Sequence, residues 1–170
     1  KYEFVVNQYN AGVEPYKLWG DRVIKEAEAL LSQPPTNPAD YANANDFLGA
    51  SRKVSNVVQK CSLAYWLTQS DKFKDRVWLE ADTAINFTTW EPEHFLNVAE
   101  MANAIAIAYD SLFDYWNETQ KSAMRQAIVE HGLKEGLKAY RDPALTIRDW
   151  NKTGFWVVLN TNWNLVCNGG

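Results

Sequence analysis

Cysteine and histidine are scarce in this chain. Its two cysteines, Cys61 and Cys167, stand far apart without CxxC spacing, which excludes a structural zinc site and a dense disulfide framework. Each lies inside an apolar helical pattern, so both are expected as buried free thiols. The only histidines, His94 and His131, cannot supply a multi-histidine centre, and no metal is expected. There is no HExxH, GxSxG, P-loop or GxGxxG, and no cofactor is expected either. No run of about twenty apolar residues is present, so no membrane span is predicted. Cationic excess is missing as well: 17 Lys and Arg face 21 Asp and Glu, for a net charge of −4. Non-specific binding of nucleic acid or of anionic membrane needs a basic field, and both partners are disfavoured.

What the chain has in quantity is aromatic surface. Eight Trp, eight Tyr and seven Phe occur in 170 residues. Trp and Tyr carry a polar edge on a large apolar body, which suits a core and equally a half-wet binding cleft. Hydrophobic residues make up 46% and charged residues 22%, the balance of a folded domain rather than of a disordered chain. At this length one domain with its own core is expected.

The apolar periodicity is helical almost throughout. In Glu93 to Trp116, the residues Phe95, Ala99, Ala102, Ala106, Tyr109, Phe113 and Trp116 step by four and three, with Val98, Met101, Ile105, Ala108 and Leu112 in a second row. A helix apolar around so much of its circumference should be the most buried one. Pro92 suits its first turn and Glu93 the positive end of its dipole. Narrower stripes predict helices over Tyr16 to Leu31, Ala44 to Thr68, from Asp71 to about Thr88, and from Glu118 to Tyr140, where His131, Leu133, Leu137 and Tyr140 share the apolar face. Pro34 and Pro35 end the first of these. Short connections make antiparallel helical hairpins the expected arrangement, about six helices in an all-α fold. The alternation of fully apolar and one-sided helices suggests two concentric layers. A further buried helix opens after Gly154 and runs into the last residue, so the chain is expected to be the first part of a longer protein.

Two stretches carry a resemblance. Trp90-Glu91-Pro92-Glu93-His94-Phe95-Leu96-Asn97-Val98-Ala99-Glu100-Met101 through Ala108-Tyr109-Asp110, and later Asn162-Trp163-Asn164-Leu165-Val166-Cys167-Asn168-Gly169-Gly170, resemble the heparinase II/III-like polysaccharide lyases and their alginate-lyase relatives. The resemblance covers roughly Asp71 to Gly170. It implies an incomplete (α/α) toroid followed by further domains of the same chain, a periplasmic or secreted location, and an acidic polysaccharide as substrate.

The implied reaction is β-elimination at a uronic acid. Such chemistry needs the substrate carboxylate neutralised, the C5 proton removed and the departing glycosidic oxygen protonated. Asn162 matches the family's carboxylate-binding asparagine and is the catalytic candidate. Trp163 stands where some relatives carry histidine. The tyrosine that moves protons in relatives is expected downstream, which would leave these 170 residues inactive alone. Trp90 and His94, expected in one cleft with Asn162, together with Trp163, Asn164 and Arg148, are the substrate-binding candidates, and Lys152 is a weaker one for steering an anion. Two other classes remain open. A glycoside hydrolase on a similar toroid would need two carboxylates, for which Asp110 and Asp149 are candidates. A non-catalytic carbohydrate-binding or scaffold protein would use the tryptophans as core.

Overall fold

The computed structural model describes residues 2–41, 44–141, 154–158 and 162–169. Among them every regular element is helical, and no strand occurs. The α-helices are α1 (Glu3–Asn10), α2 (Tyr16–Leu31), α3 (Ala44–Thr68), α4 (Asp71–Ile85), α5 (Leu96–Ser111), α6 (Glu118–Ala127), α7 (Lys134–Arg141), α8 (Phe155–Val158) and α9 (Asn162–Gly169). Helix α1 lies ahead of the first helix that the apolar pattern predicts.

Helix α3 is the axis of the molecule, packed along α2, α4 and α5. Its 25 residues hold no proline, and it stops where Gln69 turns left-handed at φ 55° with its N–H on the Tyr65 carbonyl at 2.7 Å. Only Gln69 and Ser70 separate α3 from α4, so α4 folds back along it. Between α3 and α5 the contact is apolar in the middle and polar at its ends. Val54, Val58 and Cys61 meet a helix whose buried positions include Ala104, Ile105 and Ala108, all at 0% exposure. Ser51 Oγ donates to the Asn97 carbonyl at 2.9 Å near one end, and Trp66 Nε1 to the Ser111 carbonyl at 2.9 Å near the other. Small side chains let the two helices approach closely, and the terminal hydrogen bonds fix their register.

One ion pair is buried in this packing. Glu80 is fully buried on α4, accepts from Arg76 Nη1 at 2.7 Å and from the Thr36 N–H at 3.1 Å, and also accepts from the Thr36 hydroxyl. Arg76 Nε donates to the Leu30 carbonyl at 3.1 Å. Together they pin the chain leaving α2 onto α4. Both cysteines are buried free thiols, as expected. Burial pushes Cys61 up to about 11 and Cys167 up to about 12.

Three departures from the periodicity have physical causes. Helix α5 starts at Leu96 rather than Glu93, because Phe95 at φ 55° breaks the right-handed path; Pro92 therefore sits in a turn and not in a first helical turn. The same helix stops at Ser111, and Phe113–Tyr115 is a separate short 3₁₀ turn. The expected continuous helix from Glu118 to Tyr140 carries a π turn over Ile128–Leu133. A π turn holds an extra residue and rotates the helix beyond it. Accordingly Leu133, Leu137 and Tyr140 are not the buried stripe; they are about half exposed, and Gly132 and Ala139 take the inner positions. His131 in that turn lies against the Trp90 ring at 5.1 Å between centroids, a packing role as expected.

Candidate functional site

The site grows from two chain segments that are distant in sequence: the turn ahead of α5 and the first turn of α9. Trp163 Nε1 donates to the His94 carbonyl at 3.1 Å, and the two rings meet edge to face at 5.0 Å and 72°. Phe155 also packs on Trp163, at 5.7 Å between ring centroids. His94 and Trp163 are both half-buried, while Asn162, next to Trp163 in sequence, is exposed and its side chain has no hydrogen bond among the described residues. From α5 the fully buried Asn97 presents Oδ1 to His94 Nδ1 at 3.1 Å. The same turn holds two carboxyl groups. Burial raises Glu91 above the usual carboxylate range, and the neighbouring Glu93, by charge and by hydrogen bond, raises it further.

Two of the expected site residues stand differently. Trp90 is 1% exposed, donates Nε1 to the Ala84 carbonyl at 3.1 Å and packs on His131, so it offers no face to a sugar and does not share a cleft with Asn162. The periodicity around it cannot show this, since the outcome depends on a ring supplied from residue 131. Asn164 is not a free donor: its amide nitrogen donates to the carbonyls of Trp156 at 3.1 Å and Val157 at 3.0 Å, which ties α9 to α8. Arg148 lies outside the described residues, as do Lys152 and Asp149. Asp110, the other carboxylate of the hydrolase reading, is exposed in the last turns of α5.

Neither Asn97 nor Glu91 stands out in the sequence. Asn97 occupies an apolar-looking helix and carries no motif of its own. Its spacing of three from His94 is the available signal, because residues that close at a helix start can meet.

A separate apolar cleft of about 370 Å³ lies between α5, the π turn, α7 and the α8–α9 segment, lined among others by Ala102, Gly136, Leu137, Tyr140 and Trp156. Its lining is mainly apolar, which suits it poorly to a hydroxylated chain. Among the described residues no helix is long and apolar enough to cross a membrane. Compared with known proteins, the chain matches no family model and no curated protein.

Proposed function

We propose that this chain forms part of an (α/α) toroid of a polysaccharide lyase, which cleaves an acidic polysaccharide by β-elimination at a uronic acid. The observation that carries the reading is the junction of Trp163 with His94, which joins both stretches of the lyase resemblance at one end of α5 and α9 and leaves the Asn162 amide without a partner among the described residues. A carboxylate held by the Asn162 N–H groups is partly neutralised, and its C5 proton becomes easier to remove as charge spreads onto the carboxylate oxygens. In this reading the remaining proton-transfer groups, a tyrosine above all, come from further domains or helices of the same protein, which is exported to the periplasm or beyond.

A second reading, a non-catalytic carbohydrate-binding or scaffold protein, draws on the burial of Trp90, Trp116 and Trp156 and on the structural use of Asn164. Incubating the full-length protein with polyuronates separates the two. A lyase yields a conjugated unsaturated product seen by ultraviolet absorbance; a saturated reducing end marks a hydrolase instead, and binding without turnover marks the second reading. Losing one preorganised donor costs on the order of a hundredfold to a thousandfold in turnover, so Asn162→Ala should fall by that much with folding intact. Asn162→Asp should be at least as harmful, since it sets a negative charge beside the uronate. An unchanged rate in Asn162→Ala would sink this assignment.

A further inference from the structure

We infer that Asn97 is a positioning residue that holds the uncharged ring of His94 as its Nδ1–H tautomer, leaving Nε2 as the base that takes the C5 proton. The inference rests on the lyase reading for its substrate and on the structure for its geometry. Nδ1 of His94 lies 3.1 Å from Oδ1 of Asn97. A carboxamide oxygen can only accept, so the ring nitrogen facing it must carry the proton. A neutral imidazole has one N–H, so the lone pair is at Nε2. No described residue bonds to that nitrogen.

The rest of the local packing holds this arrangement. Asn97 is at 0% exposure on the first turn of α5, and its own carbonyl accepts from Ser51 of α3. Its side chain therefore starts from a backbone anchored to the longest helix. Trp163 also holds His94, with its N–H on the His94 carbonyl and its ring against the imidazole. An orienting acceptor on one ring nitrogen and an open lone pair on the other is the geometry a general base requires. In the step itself the C5 proton moves to Nε2, and the C5–H electron pair becomes the C4–C5 double bond. The C4–O bond breaks, and the glycosidic oxygen leaves with its pair and takes the hydroxyl proton of the tyrosine that the lyase reading expects elsewhere in the protein. The His94 imidazolium keeps its Nδ1–H bond to Asn97 throughout.

With only two histidines, long-range proton–nitrogen NMR of the 15N-histidine-labelled chain resolves the tautomer, and His131→Gln assigns the signals. His94 should show Nδ1–H, against the Nε2–H form that free histidine prefers. Asn97→Leu should shift it to Nε2–H, while Asn97→Asp, which keeps an accepting oxygen, should retain Nδ1–H. Should Asn97→Leu fail to fold, the unmodified chain and Asn97→Asp still decide. In the full-length protein His94→Gln should lower kcat roughly a hundredfold to ten-thousandfold. An Nε2–H tautomer, or full turnover by His94→Gln, overturns this inference and leaves the lyase reading standing. Absence of polyuronate cleavage by the unmodified full-length protein overturns that reading and the base role with it, whatever the tautomer.

Discussion

Helices α3, α4 and α5 and the later group α7, α8 and α9 are built from similar apolar residues, yet they hold together by different means. The first three have 25, 15 and 16 residues and share a core in which Val54, Val77 and Met101 are fully buried. The later three have 8, 4 and 8 residues and leave Leu137 at 48% and Leu165 at 75% exposure. A helix of two turns cannot bury a long stripe, so its position depends on single anchors. Here the anchors are rings and one amide: Trp156 stacked on Phe95 at 4.4 Å, Trp163 on His94, and Asn164 on two carbonyls. The long group is stabilised by area, the short group by a few specific contacts. The candidate site lies where the two groups meet.

The strongest test of this contrast removes Glu80. With its carboxylate gone the Arg76 guanidinium stays buried at 4% exposure without its ion-pair partner, a loss of about 3–5 kcal/mol. Urea denaturation of Glu80→Ala should show it as a cooperative loss, and a change under about 1 kcal/mol would mean water reaches the pair. Met101→Ala comes next. It empties space in the α3–α5 core and should cost about 2–5 kcal/mol by the same measurement. A small cost would show that α5 can collapse onto the gap.

Asn164→Ala probes the short group. Breaking its two bonds to α8 should loosen that end by about 1–2 kcal/mol without lowering global stability as much. The two thiols report the difference directly. Because burial pushes both well above the ordinary 9.0, both are protonated in the folded chain near pH 8, and labelling must wait for opening. Cys167, which sits in the group held by few contacts, should open and react before Cys61. Asn164→Ala should speed Cys167 about tenfold, the equivalent of 1.4 kcal/mol, and leave Cys61 unchanged. Equal acceleration of both would erase the distinction between the regions. The smallest effect belongs to Leu165→Ala, which should stay within about 0.5 kcal/mol because the side chain is already mostly in solvent. A larger loss would show that something covers this face.

Much of the helix map is legible in the residues. Tyr16 to Leu31 and Ala44 to Thr68 coincide with α2 and α3, and the starts at Asp71 and Glu118 agree with α4 and α6. The last is written locally: Asn117 accepts from the Gln120 N–H while Gln120 reaches back to the Asn117 N–H, a reciprocal cap readable from spacing. Departures fall at residues whose backbone no periodicity specifies. Phe95 adopts a positive φ that β-carbon sterics disfavour, and packing of its ring on Trp156 compensates across some sixty residues of chain. In the site, His94 and Asn162 can be singled out by residue type and motif. Trp90 cannot be assigned to core or cleft, because the same indole serves either, and Asn97 has no mark as the partner of His94.

The sequence by itself determined that the described residues are all-helical, where α2 and α3 run and that the thiols are buried, because a 3.6-residue apolar repeat and proline geometry act on neighbours along the chain. Tertiary structure decided the rest: that Trp90 is core, that a π turn rotates Leu133 and Leu137 outward, and that Asn164 is spent on α8. It also brought Trp163 to the His94 carbonyl. Those outcomes depend on which distant surface each side chain meets, and only the packed chain contains that information.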